Sequence, residues 1–243
     1  RVQAAITVLD AWLAGAAIEQ ALTNWARGAR YAGSGDRAGV RDHVYDVLRA
    51  RGTCAALGGG QTGRALMIGL LRWQGQDLAS VFNGVGHAPP SLDAAEIVPP
   101  GAMPAPEVDV PDWLVPLLQA GLGTGLGAVL DQFRQRAPLY LRVNTRKARR
   151  ADVIARLAAE GITAIADEDV ATALLVTSGA RRIKSCDAYA DGWLEPQDLS
   201  VQRALAAIDW PKGRILDFCA GGGGKALAIA AASDAQVLAH DAL

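Results

Sequence analysis

Arg214-Ile-Leu-Asp-Phe-Cys-Ala-Gly-Gly-Gly-Gly-Lys-Ala-Leu-Ala-Ile-Ala-Ala-Ala232, followed by Gln236-Val-Leu-Ala-His-Asp241, is the stretch that decides the fold class. Arg214 to Ala220 is an apolar run of buried-strand type, Gly221 to Gly224 is a loop of four glycines, and Ala226 to Ala232 continues as a helix. Gln236 to Asp241 then reads as a second strand. Parallel neighbours need a crossover, and a helix between two apolar runs supplies one, so the order marks the start of a Rossmann-like α/β sheet. A helix from Asp198 to Ile208 leads into it past Pro211 and Gly213.

The chemistry of this loop follows from its backbone. Glycines between a strand and a helix let a ligand approach the amides at the helix N-terminus. An acid ending the next strand, here Asp241, can accept hydrogen bonds from a ribose diol. Both suit an adenosine-containing cofactor, and the candidate contacts are Cys219, Ala220, Gly221, Gly222, Gly223, Gly224, Lys225 and Asp241. The loop also fits G-x-G-x-x-A through Gly221, Gly223 and Ala226, so a nicotinamide dinucleotide stays open, as does a glycine turn that binds nothing. A phosphate-binding P-loop is excluded, because Cys219 stands where it needs Gly and Ala226 where it needs Ser or Thr. Asp217 before the loop and Lys225 within it tilt the reading towards S-adenosylmethionine, whose methionine carboxylate a lysine can meet.

Upstream, Leu139, Leu141 and Val143 alternate with Tyr140, Arg142 and Asn144, a strand signature with one polar face. Residues 150–160 read as a helix ended by Gly161, with strands near 162–165 and 173–177. Residues 112–195 are thus expected to form a small α/β domain, and 196–243 the N-terminal part of the glycine-loop domain. Residues 89–111 hold seven of the eleven prolines and read as an acidic linker or a clamp across the surface. Residues 1–88 have helical periodicity (Ala5, Val8, Leu9, Trp12; Val40, Val44, Val47, Leu48) and are expected to be all-α. The fold class is therefore α + α/β.

Charge is placed unevenly. Trp73 to Phe133 carries seven acids and no Lys or Arg, whereas Arg134 to Arg156 carries eight bases against Asp152 alone. A weaker basic patch runs from Arg27 to Arg51. Such stripes fit a polyanion-binding groove, and Tyr140 among bases suits a sheet that holds RNA; a solvated surface accounts for either alone. The candidate RNA contacts are Arg142, Asn144, Arg146, Lys147, Arg149 and Arg150, with Arg37 and Arg41 from the weaker patch.

Composition bounds the rest. The 243 residues are 51% hydrophobic and 20% charged with a net charge of −1, as expected of a folded chain without a global field for nucleic acid or membrane. Three scattered cysteines argue against a disulfide framework or a metal site and for a reducing cytoplasm. The N-terminus lacks the order of an export signal. Residues 113–130 are uncharged, but Pro116 and four glycines point to a loosened helix or helix pair rather than a membrane span.

Four segments, in order, resemble the RsmB/Sun (NSUN) family of RNA cytosine-5 methyltransferases. Asp217-Phe-Cys-Ala-Gly-Gly-Gly-Gly-Lys225 resembles its D-x-C-A-x-P-G-G-K-T motif. Pro138-Leu-Tyr-Leu-Arg-Val-Asn144 with Lys147 resembles P-x-x-LRVN-xx-K, and Glu195-Pro-Gln-Asp-Leu-Ser-Val-Gln202 resembles V-Q-D-x-S-S-Q. Gly35 to Arg49 is similar to the NusB-like RNA-binding module of RsmB proteins. Gly222 replaces the usual Pro and Ala226 the usual Thr. The resemblance implies S-adenosylmethionine as cofactor, RNA as substrate (16S ribosomal RNA ahead of transfer RNA), and a covalent adduct between a cysteine and C6 of cytosine. Cys219 matches a loop cysteine rather than the nucleophile, so the catalytic cysteines are expected beyond this chain, which is expected to be an inactive, monomeric fragment. A non-catalytic RNA-binding module and an NAD-dependent oxidoreductase are the alternatives.

Overall fold

The computed structural model describes residues 1–98 and 101–242; Pro99 and Pro100 of the proline-rich stretch, and Leu243 at the end of the glycine-loop segment, lie outside the described residues. The chain divides into two compact units, Arg1–Arg136 and Ala137–Leu243.

The first unit contains α1 (Val2–Leu13), α2 (Ile18–Gly28), α3 (Ser34–Arg49), α4 (Arg51–Gly58), α5 (Gly63–Trp73), the single turns α6 (Leu78–Val81) and α7 (Ala94–Ile97), α8 (Val115–Leu122) and α9 (Leu126–Phe133). The apolar positions read from the sequence are its core: Ala5, Val8, Leu9, Val40, Val44 and Val47 are buried against Leu66, Met67, Ile68 and Leu70 of α5. Helix α5 starts where the Thr62 hydroxyl accepts from the Ala65 amide at 3.1 Å. It lies so close to α4 that a Cβ at Gly69 would fall 1.8 Å from the Cys54 carbonyl oxygen, so only glycine is accommodated there. The uncharged 113–130 stretch is the helix pair α8 and α9, broken at Gly123 with φ +52°. No helix among the described residues is long and apolar enough to cross a membrane.

The proline-rich acidic stretch lies inside this first unit, held onto its helices by arginines. Arg64 reaches Glu96 at 2.7 and 2.8 Å and the carbonyls of Pro90 and Ser91. Arg72 donates to the carbonyls of Leu57, Glu96 and Val98. Arg134 Nε donates to Asp109 at 2.7 Å. The stretch carries acids and no base, so the arginines of flanking helices are its charge partners. Its last residues pack equally close: a Cβ at Gly52 would lie 1.9 Å from the Val108 carbonyl oxygen.

The second unit has two sheets. Strands β1 (Leu139–Val143), β2 (Thr163–Ala166), β3 (Ala173–Ser178) and β4 (Leu194–Pro196) form an antiparallel sheet of order β2-β3-β1-β4. Helix α10 (Arg150–Ala159) packs Val153 and Leu157 against Leu141, Val143 and Leu174, and the turn α11 (Asp187–Ala190) adds Ala188. After α12 (Leu199–Ala206), β5 (Arg214–Asp217) pairs in parallel with β6 (Gln236–Ala239) through α13 (Gly224–Ala232). The fold is α + α/β, with the parallel unit where the glycine loop placed it. Both its strands stop earlier than their apolar runs, because pairing ends at Asp217 and Ala239 and the chain then turns into the loop.

Candidate functional site

The glycine loop is built by the two ends of the parallel pair. The Asp217 carbonyl accepts from the His240 amide at 2.8 Å, and the Ala220 amide donates back to the His240 carbonyl at 3.0 Å. Phe218 and His240 stack with ring centroids 5.0 Å apart. Gly223 takes φ +81°, which favours glycine, and caps α13, whose first helical bond runs from the Leu227 amide to the Gly223 carbonyl. The amides of Gly224, Lys225 and Ala226 precede that bond, as at every helix N-terminus. A Cβ added at Gly222 or Gly223 would meet nothing within 4 Å, so the loop backbone faces open space.

Three side chains set the loop's electrostatics. Asp217 is 9% exposed, and its Oδ2 is buried with no hydrogen-bond partner. Asp241 is exposed and turns one carboxylate oxygen onto the Gly221 amide. Lys225 and Cys219 are exposed, and Ala220 is buried. The structure therefore brings together all eight residues expected at the cofactor loop. It adds that Asp241 bonds the loop itself.

The expected basic face is less uniform. Arg142 does not project from an open polar strand face: it is 4% exposed and its Nη2 donates to Glu195 on β4 at 2.5 Å. Strand alternation gave its side of the sheet, but α12 and the chain after it cover that side. Burial lowers the Arg142 pKa and raises that of Glu195, desolvation outweighing their mutual attraction in both. Asn144 donates to the Gly192 carbonyl and accepts from the Arg146 amide. Lys147 Nζ donates to the Asp191 carbonyl at 2.8 Å, and Arg150 to the carbonyls of Asp167 and Val170. These three side chains fasten loops. Arg146 and Arg149 remain at the surface, side chains 51% and 84% exposed, against Asp234 and Asp152.

In the first unit, Arg41 makes a two-pronged pair with Glu19 at 2.9 and 3.0 Å, and Arg37 donates to the Ala32 carbonyl. The Tyr45 hydroxyl and then Arg41 hold the Glu19 carboxyl below its usual range. Arg27, Arg37 and Arg41 line one groove of about 380 Å³ with Thr23 and Trp25. Among the described residues no group of three or more His, Cys, Asp or Glu could hold a metal. Cys54 and Cys186 are buried, and burial pushes the Cys54 thiol up to about 12. Cys54 therefore provides no thiolate nucleophile at neutral pH.

Sequence reading missed Gln197 and Gln202. Gln197 Nε2 donates to the Gly224 carbonyl at 2.9 Å, and Gln202, 2% exposed, donates to the carbonyls of Leu141 and Gln197. Both lie in the Glu195–Gln202 motif, whose presence was the available signal.

Residues 110–181 match the family described as "Methyltr_RsmF/B-like, ferredoxin-like domain". Two similar curated proteins are each called "Ribosomal RNA small subunit methyltransferase B". That of Xanthomonas campestris pv. campestris is 36% identical over 117 residues, 48% of this chain and 26% of the relative. That of Citrobacter koseri is 34% identical over 133 residues, 54% of this chain and 31% of the relative. The matched part thus spans about a quarter to a third of those relatives' length. The solved structure "Crystal Structure of PH0851" superposes with a TM-score of 0.63 at 19% identity, over 98% of this chain and 62% of that one, which is a likeness of fold.

Proposed function

We propose that this chain, whose residues 110–181 match the RsmF/B-like methyltransferase domain, serves the S-adenosylmethionine-dependent cytosine-5 methylation of ribosomal RNA, with 16S RNA as substrate. The observation that carries this reading is the open loop between β5 and α13. The residues fit the cofactor: bare glycine backbone at Gly222 and Gly223, and a buried, unpartnered Asp217 carboxylate oxygen that can accept from the cofactor's ammonium or hydroxyls. When bound, the cofactor supplies an electrophilic methyl group. Asp217 and the loop amides would hold its polar ends, and Asp241, which bonds the Gly221 amide, would fix the edge of the loop.

Arg146 and Arg149, with the Arg27–Arg37–Arg41 groove of the NusB-like helical module, contact RNA phosphates. The covalent step calls for an accessible thiolate, and Cys219, exposed on the glycine loop, resembles the family's loop cysteine rather than its nucleophile. A reducing cytoplasm is the proposed setting, in keeping with three scattered cysteines.

Calorimetry with S-adenosylmethionine and with NAD tests the loop. Binding of the first and not the second is expected, and the reverse overturns the reading in favour of an oxidoreductase. Titration of a 16S RNA fragment at rising salt tests the second part. A steep loss of affinity is expected, and salt-independent binding or none overturns it.

A further inference from the structure

The Glu195–Gln202 motif has no part in the contacts proposed above, yet it holds Gln202, whose buried side chain bonds Leu141, Thr172 and Gln197. Gln197 is fixed at its backbone from two sides. Its amide donates to the Tyr140 carbonyl at 3.1 Å, and its carbonyl accepts from Gln202 Nε2 at 2.9 Å. Gln202 is held in turn by the Leu141 carbonyl and the Thr172 hydroxyl. From this anchored position Gln197 Nε2 donates to the carbonyl of Gly224, the last glycine of the loop and the first residue of α13. A carbonyl accepts only, so this contact fixes the amide's orientation and leaves Oε1 on the opposite side.

Gln197 Oε1 is buried without a partner, and so is Arg142 Nε. Arg142 and Gln197 line the same cavity of about 90 Å³, together with Thr145, Thr172 and Trp210. The rest of that lining is mostly apolar, including Leu205, Ala206 and Ala228, so Gln197 is held by its backbone bonds and its Nε2 contact rather than through Oε1.

We propose that Gln197 is the positioning residue of the glycine loop, gripping Gly224 with its amide nitrogen from a backbone pinned by Tyr140 and Gln202. The inference rests on reading this loop as the cofactor site. Four-glycine backbone has few intrinsic conformational preferences, so an external hydrogen bond at its end selects the conformer in which the α13 amides are presented. The bonds from Gln197's backbone to Tyr140 and Gln202 then keep it from moving away.

The test compares the wild-type chain with Gln197→Met, which loses both amide groups, and Gln197→Glu, which keeps the shape and loses the donor. Amide hydrogen exchange is followed without ligand. Both variants should lose about tenfold or more of the protection at the bonded amides of Gly221, Gly223 and Leu227, with β1 and β3 unchanged, the latter showing that the unit is folded. Loss in the Met variant alone would make Gln197 a packing residue, and unchanged loop protection in both would overturn the proposal. Calorimetry should show S-adenosylmethionine affinity reduced about tenfold in both variants. If wild type binds no S-adenosylmethionine, the cofactor reading fails, while the exchange measurement still decides the role of Gln197.

Discussion

Arg134 in the first unit and Arg142 in the second come from the same basic run, and each is buried against an acid, but their surroundings differ. Arg134 gives Nε to Asp109 at 2.7 Å, Nη2 to the Thr53 hydroxyl at 2.9 Å and Nη1 to Asp131, with its guanidinium 5.6 Å from the centre of the Trp73 ring. Asp109 also accepts from the Thr53 amide and hydroxyl. Side chains in that pair are 7% and 5% exposed. Arg142 has Glu195 and an unpartnered Nε, and Glu195 stays 19% exposed. The first is a closed clamp and the second retains an unused donor. A charge serving only the fold is surrounded by partners, whereas one near a working loop keeps capacity for another.

The comparison is broken most directly at Asp109. Asp109→Ala strands the Arg134 charge and two Thr53 donors, and should cost about 3–5 kcal/mol in chemical denaturation of the first unit. A loss below about 1 kcal/mol would reduce the clamp to an ordinary surface pair. Glu195→Ala should cost less, about 2–3 kcal/mol, because water can reach the cavity and partly solvate Arg142. Glu195 also gives the pair a pH dependence. Its folded pKa lies above the unfolded value, so its contribution is fully present below about 4.5 and is lost as pH rises through the folded value. Glu195→Gln should flatten that limb of the stability profile, and an unchanged profile would remove Glu195 from the account.

At the loop, Asp241→Ala should weaken S-adenosylmethionine binding more than tenfold, about 1.4 kcal/mol. Unchanged affinity would detach Asp241 from the site. The smallest stability effect belongs to Arg149→Ala, whose solvent-exposed pair with Asp152 should leave folding nearly unchanged. Its signature should be in RNA affinity, with the salt slope reduced by about one. A larger change in stability than in binding would place Arg149 with Arg134.

What was legible in the sequence was local. The glycine loop, its flanking strands and helix, and the helix pair over 113–130 all depend on neighbouring residues, and they stand where periodicity and breakers put them. Strand β4 was not legible, because three residues ending in Pro196 carry too little alternation to read. The burial of Arg142 was not legible for a different reason. Alternation assigns a side chain to a face, and only the later path of the chain decides whether that face meets water. The same limit hid Gln197, whose partner Gly224 lies 27 residues away.

The acidic strap has a consequence for anyone mapping this protein with proteases. Trypsin cuts after Lys and Arg, and none occurs from Trp73 to Phe133. The strap therefore leaves a tryptic digest as one piece, and cuts at Arg49 or Arg51 leave the nicked helices noncovalently attached to it through Arg64, Arg72 and Arg134. Resistance to trypsin thus reports the spacing of bases as much as the stability of the fold. A protease specific for acidic residues, with seven sites in the same stretch, measures directly how tightly the strap is held.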